Sequence, residues 1–539
     1  MMSVESLRVI ADEWLQTFAV FLQEADVVGV TSSFLPSGWL RDVLTFTWDN
    51  RSLAGHDKIA AYLQDTLLKA KVADVALDDT PGLSPQPSNL NPDWVASGFT
   101  YTTSVAIGQG YFHLAKDVDG AWKAQLVFMS VIDIKGHEEA KPELGLYEGH
   151  TQAWIDVQQE RRQKIEENPH VIIVGAGQTG LNVAARFRQM NIPSLIVDSS
   201  PRVVLYQPYP QNWPIFTPRD RLADWLEHYA ISQDLVVWTN SRLLPTPTFD
   251  FSTRKWTVVI DRNGTEITLH PAHIVLATGL LGKPRYPYIA NKDVFKGITL
   301  HACNYAGGHP FSGKRVVVIG AGNTSADICQ DLVAQNAKSV TMVQRSSTCV
   351  VSPKSVDATI TRSWPEGVPP EVSDFKFMAC PLLFFRAFLR QFEKQAWDRD
   401  RDLHEGLIKA GIKLNMGIDG SGIVSLLYER SGGYSYPTEG IDVGCAKFIN
   451  AGKIQIKQGV EPEYFTEDTL IFKDGTALPA DVVIFATGYH NIRESMKETF
   501  GEGTIERTSP IWGLDEEGEL RGCYRPTGHS GSGKFNLAE

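Results

Sequence analysis

The stretch His170-Val-Ile-Ile-Val-Gly-Ala-Gly-Gln-Thr-Gly180 sets the fold class. An apolar run leads straight into Gly-x-Gly-x-x-Gly, and Leu181, Val183, Ala184 and Phe187 then return at helical spacing. Strand, tight turn and helix in that order make a cradle for a nucleotide pyrophosphate. Gly175 permits the turn, Gly177 lets the backbone approach the phosphates, and Gly180 lets helix and strand pack closely. Gln178 and Thr179 open the helix, whose N-terminus faces the anion. A second strand, residues 194–197, ends at Asp198, about 20 residues on, where an acid binds ribose hydroxyls. The bland reading, a glycine-rich turn in a core, explains the glycines but not the strand, helix and acid together.

Further along, Arg315-Val-Val-Val-Ile-Gly-Ala-Gly-Asn-Thr-Ser325 repeats the pattern. Gly320 and Gly322 hold the first two glycine positions, Asn323 and Thr324 follow, and Ser325 stands at the third, still small. The next strand, residues 339–343, ends in Gln344-Arg345-Ser346 with no acid. A carboxylate there would repel a 2′-phosphate, whereas Arg345 attracts one, so this site reads as one for NADPH rather than NADH. The plain alternative is a surface arginine after a strand. Two apolar strands, Ile274-Val-Leu-Ala-Thr-Gly279 and Val482-Val-Ile-Phe-Ala-Thr-Gly-Tyr489, end in Ala-Thr-Gly. Each returns the chain to a nucleotide crevice. Thr278 and Gly279 belong with the first site, and Thr487 and Gly488 with the second or its linker. Two such pairs in alternation indicate an α/β flavoprotein with two dinucleotide-binding domains, paired and Rossmann-like.

The remainder bounds the problem. The chain has 539 residues, 43% hydrophobic and 21% charged, an ordinary globular balance and enough for about three or four domains. A net charge of −12 argues against nucleic acid as a partner. The cysteines (303, 329, 349, 380, 445 and 523) form no CxxC pair and no His-rich cluster, so neither a metal site nor a disulfide framework is expected. The first residues carry acids and no signal-peptide core, and no apolar run reaches about 18 residues. A cytoplasmic chain without membrane insertion is the expectation.

The first 135 residues read as an α+β unit. Leu7, Ile10, Ala11, Trp14, Leu15, Phe18 and Leu22 recur at helical spacing, a second helix is expected at 58–69, and strand-like runs cover 97–114 and 121–134. Trp39, Trp48, Trp94 and Trp122 are read as core filling or dimer contact rather than a ligand cavity. A polar linker and a charged helix follow over residues 136–168. Residues 365–411 look helical, with Phe384, Phe385, Phe388 and Phe392 read as packing against the nucleotide domain rather than as a substrate tunnel or membrane contact. Residues 454–489 return to strands.

Between the two glycine turns lies Phe295-Lys-Gly-Ile-Thr-Leu-His-Ala-Cys-Asn-Tyr305. It matches F-x-G-x-x-x-H-x-x-x-Y, and with it residues 169–524 resemble the class B flavin-dependent monooxygenases, closer to the flavin-containing and YUCCA types than to the Trp-ended Baeyer–Villiger form. Trp39-Leu-Arg-Asp42 and Thr47-Trp-Asp49 resemble the N-terminal NTF2-like or SnoaL-like domain of fungal members. The resemblance implies an NTF2-like domain over 1–135, an FAD domain over 169–310 and 480–539, and an NADPH domain over 311–479. It implies FAD on the first turn, NADPH on the second, and O2 as co-substrate. A flavin C4a-hydroperoxide would oxygenate a nitrogen, a sulfur or a carbonyl carbon of a small organic molecule. His301 and Asn323 are the candidate catalytic residues. For His301 a hydrogen-bonded structural role is favoured over direct catalysis.

Two stretches depart from the family pattern. Only Ser-Ser-Pro-Arg-Val-Val-Leu-Tyr-Gln separates Asp198 from Pro208, where relatives carry a longer flavin-contacting segment, and the chain stops at Glu539 soon after Arg525-Pro-Thr-Gly-His529. The alternatives these raise are a catalytically impaired nucleotide-binding or scaffold protein and an NADPH oxidase. Gly528 to Lys534 fits G-x-x-x-x-G-K, but Phe535 follows and no strand–turn–helix surrounds it, so it is read as coincidence.

Overall fold

A computed structural model describes residues 3–140, 143, 145–147, 150–198, 213, 217–279, 281–425, 438–522 and 525. The short segment after Asp198 that includes Tyr206 to Pro210, the tail from Pro526 onward and Cys523 lie outside the described residues. The chain divides into two compact units, Met1–Leu281 with Ile492–Glu539, and Gly282–Asn491.

In the first unit, the N-terminal segment builds a seven-stranded mixed sheet. Phe34–Val43 pairs antiparallel with Asn50–Ala54 and parallel with Trp122–Ile134, which continues antiparallel to Ala106–Lys116 and Val95–Thr102. Helices Val4–Gln23 and His56–Ala70 cover it, seating Leu7, Phe18, Ile59 and Leu63 in one apolar core with Phe34, Phe99 and Phe112. The run expected as one strand over 97–114 breaks at Thr103, whose hydroxyl accepts the N–H groups of Val105 and Ala106 and so forms a turn. The four tryptophans divide, with Trp122 packing against this core. Trp48 is 55% exposed, and Trp39, Trp94 and Trp122 are half-buried, while Trp14 fills the core through rings of Phe18 and Phe112. Residues near the far end of the chain fasten onto this sheet. Arg41 meets Glu519 at 3.1 Å with both side chains nearly inaccessible, and Arg51 meets Glu517 at 2.6 Å.

The same unit carries a four-stranded parallel sheet in the order Val236–Trp238, Ser194–Val197, Val171–Val174, His273–Leu276. Its strands are short, β-branched and buried on both faces, as parallel strands between helices must be. The Gln178–Gln189 helix buries Leu181, Ala184 and Ala185 against it.

The second unit holds a five-stranded parallel sheet in the order Ile298–His301, Val482–Phe485, Arg315–Ile319, Ser339–Gln344, Ile454–Gln458. This moves the expected boundaries. Residues 282–310 and 480–491 are expected in the first nucleotide domain, yet their strands belong to the second sheet. The cause is local. Asp481 accepts the Arg315 backbone N–H and its guanidinium, both at 2.7 Å, and fixes Val482–Phe485 beside Arg315–Ile319. The helical insertion begins earlier than expected, at Pro353–Ser363, and continues through Pro370–Met378, Leu382–Arg390, Glu393–Arg399 and Arg401–Lys409. Phe377 packs on Phe385 and Phe388 on Phe392 within it.

Candidate functional site

The first glycine turn stands at the carboxyl end of its sheet. Gly175 sits at φ +111°, a conformation L side chains rarely adopt, and a Cβ there would lie 2.3 Å from the Ala277 carbonyl oxygen. A Cβ on Gly180 would lie 1.9 Å from the Gly175 carbonyl oxygen. Both glycines are therefore required by the protein's own packing. Gly177 is different: among the described residues a side chain there meets nothing within 4 Å. The open space above its backbone is what a bound dinucleotide would take up. Gln178 and Thr179 begin the helix beyond it.

Asp198 follows Ser194–Val197, and its carboxylate accepts the Ala176 backbone N–H of the turn. On the other side of the turn, the Ala277 N–H donates to Val174 O at 2.8 Å and brings Thr278 and Gly279 alongside. Thr278 Oγ1 is buried with no hydrogen-bond partner among the described residues. An orphaned hydroxyl at this point costs free energy unless a ligand satisfies it. Gly175, Gly177, Gln178, Thr179, Gly180, Asp198, Thr278 and Gly279 thus gather at one sheet edge, and the residues present fit a flavin dinucleotide.

The second turn repeats this build. Gly320 lies at φ +131°, where a Cβ would fall 2.3 Å from Ala486 O and 2.9 Å from Ser325 Oγ. The Asn323–Ala334 helix starts after Gly322, with Asn323 and Thr324 exposed at its first turn and Ser325 buried. Ser325 Oγ is unpartnered among the described residues. Arg345 extends past the end of Ser339–Gln344, about half exposed. It is held only loosely by Glu461 at 3.8 Å, a carboxylate that Lys473 engages at 2.7 Å. Thr487 and Gly488 close the crevice beside Gly320, the Thr487 hydroxyl donating to Arg285 O at 2.5 Å.

His301 is 1% exposed at the end of Ile298–His301. Its Nδ1 accepts the Cys303 N–H at 3.2 Å, which places the proton on Nε2, 3.0 Å from Gly488 O. Tyr286 and Tyr489 flank the ring edge-on. Burial lowers its pKa, so the imidazole is neutral over most of the physiological range. Both nitrogens are engaged within the unit.

Arg285 escaped the sequence reading. Its backbone N–H donates to Gly488 O at 3.0 Å and its guanidinium to Thr487 O at 3.0 Å. The pairing of the 282–285 segment with residues 487–490 brings it to the crevice, and no local pattern announces that pairing.

The family profile "Flavin-binding monooxygenase-like" matches residues 188–361. The chain is 26% identical over 381 residues to indole-3-pyruvate monooxygenase YUCCA1 of Oryza sativa subsp. japonica, covering 66% of this chain and 84% of that protein. It is 28% identical over 317 residues to the human putative dimethylaniline monooxygenase [N-oxide-forming] 6, covering 57% and 53%. Among solved structures, an epsilon-caprolactone-bound cyclohexanone monooxygenase aligns at a TM-score of 0.45 with 15% identity, covering 62% of this chain and 76% of that one. With the two glycine turns and the Phe295 to Tyr305 motif, these sequence matches support a class B flavin-dependent monooxygenase.

Proposed function

We propose that the chain is an NADPH- and FAD-dependent monooxygenase that uses O2 to oxygenate a nitrogen, a sulfur or a carbonyl carbon of a small organic substrate. The observation that carries this reading is the duplicated site. Two strand–glycine–helix turns each have an Ala-Thr-Gly strand alongside, one followed by an acid and the other by an arginine. FAD lies on the first turn, where Asp198 takes ribose hydroxyls, Thr278 gains its missing partner and the Gln178–Gln189 helix faces the pyrophosphate. NADPH lies on the second, where Arg345 takes the 2′-phosphate and Asn323 and Thr324 border the pyrophosphate. Bound flavin, reduced by the nicotinamide, supplies the oxygen chemistry. The protein's part is placement. His301, with both nitrogens committed, holds the 282–305 linker to the Thr487-Gly488 turn rather than moving a proton. The N-terminal unit is an NTF2-like domain by this reading, and no helix of the described residues is long and apolar enough to cross a membrane.

The test is an absorbance spectrum of the full chain with and without added FAD, followed by NADPH. Bound flavin bleached by NADPH, with NADPH consumption that rises on adding an amine, sulfide or ketone, supports the monooxygenase. Stoichiometric hydrogen peroxide without substrate dependence supports an oxidase. A folded chain that takes up no FAD overturns both.

A further inference from the structure

In the second sheet the strands run parallel, so their carboxyl ends share one edge. Arg315–Ile319, which leads into the Gly320 turn, lies between Val482–Phe485 and Ser339–Gln344. Arg345 rises from the end of the strand on one side. On the other, the Arg285 guanidinium is anchored on Thr487 O, just past the end of the opposite strand. Two strand spacings amount to about 10 Å, so the two cations stand astride the turn. Burial and the charge of Arg345 both depress the Arg285 pKa, an unfavourable setting that a bound anion relieves.

The adjacent helix N-terminus adds its own positive end. Two unlike tethers suggest two unlike duties. Arg345 is loosely held and half exposed, free to follow a peripheral phosphate. Arg285 is fixed to the Thr487-Gly488 backbone that follows the strand beside the turn.

We propose that Arg285 is a second phosphate-binding residue of this site, directed at the pyrophosphate common to NADP and NAD, while Arg345 alone senses the 2′-phosphate. The proposal rests on the reading of the second turn as a nicotinamide dinucleotide site.

Calorimetric binding of NADP+ and NAD+ to the full chain tests it, with Arg285→Gln and Arg285→Lys compared and thermal melts confirming the fold. Arg285→Gln should weaken both nucleotides by the same factor, about tenfold, leaving their ratio unchanged, and Arg285→Lys should restore most of the loss. Unchanged affinity in Arg285→Gln overturns the proposal. So does a loss confined to NADP+, which would make Arg285 another 2′-phosphate residue. Equal losses in the Gln and Lys variants overturn it as well, because they reduce the residue to a backbone brace. Wild-type chain that binds neither nucleotide overturns the underlying reading instead, before any variant is compared.

Discussion

At the first glycine turn a Cβ on residue 180 would stand 1.9 Å from the Gly175 carbonyl oxygen, whereas at the second turn the same place is held by Ser325, buried and undistorted. The two turns otherwise share a strand, a left-handed glycine and a helix that starts after the second glycine. The third position is thus a packing position, and its tolerance depends on how closely the helix rides on the turn. The features that face a ligand differ outside the glycine pattern. Asp198 leans back onto the first turn, Arg345 extends from the second, Thr278 Oγ1 is left orphaned, and Thr487 Oγ1 is tied to Arg285 O. Each crevice keeps a buried hydroxyl without a partner among the described residues, Thr278 Oγ1 in the first and Ser325 Oγ in the second, but the second is also laced to its linker.

Exchanging the third positions would break the comparison most forcefully. Gly180→Ser forces a side chain into backbone and should destabilise the first unit by about 3 kcal/mol or more. Ser325→Gly removes one buried side chain and should cost only about 0.5–1 kcal/mol. Thermal unfolding of both variants checks this, and equal losses would show that the two helices approach their turns alike.

The ligand-facing differences predict the next largest effects. Arg345→Ala removes a charge-assisted contact of about 2 kcal/mol, so NADP+ binding should fall about 30-fold while NAD+ binding holds. Unchanged discrimination would return Arg345 to the surface. Asp198→Asn keeps an acceptor for the Ala176 N–H but loses the charge, and FAD affinity should fall about fivefold in an equilibrium titration. No change in FAD affinity would mean that the carboxylate serves the turn alone.

Both turns were legible in the sequence because their requirements are local: β-branched strands, glycines at fixed offsets and a helix close behind. The ownership of the two Ala-Thr-Gly strands was not. Val482–Phe485 reads like Ile274–Leu276 residue for residue in character, and its place is decided by Asp481 reaching Arg315 across more than 160 residues of chain. Arg285 was hidden for the same reason, since its value comes from the backbone of Thr487 and Gly488. Hydrophobic size alone does not say which of the N-terminal tryptophans is covered. Trp48 points outward, and Trp14, on the covered helix face, does the filling. Nor did any local pattern reveal that Glu517 and Glu519 would bond Arg51 and Arg41.

The smallest effect concerns how the second crevice is laced. Burial holds the His301 pKa below its ordinary value of 6.5, so the unfolded chain binds a proton more readily than the folded one. The sign follows directly. The contribution of His301 is fully present above about pH 6.5 and is lost as pH falls through the lowered folded value. A protonated ring could no longer accept the Cys303 N–H at Nδ1, although Nε2 could still donate to Gly488 O. Acid should therefore loosen the 302–305 side of the linker before it frees the Thr487-Gly488 turn. His301→Gln keeps a donor for Gly488 O and cannot titrate, so its melting temperature should vary less between pH 7.5 and pH 5.5 than that of the wild type. If the two profiles run parallel, the acid sensitivity of this unit lies elsewhere. If the Gln variant instead loses turnover at every pH while its melting temperature and nucleotide affinity stay intact, the imidazole does chemistry, and the laced crevice is a catalytic one.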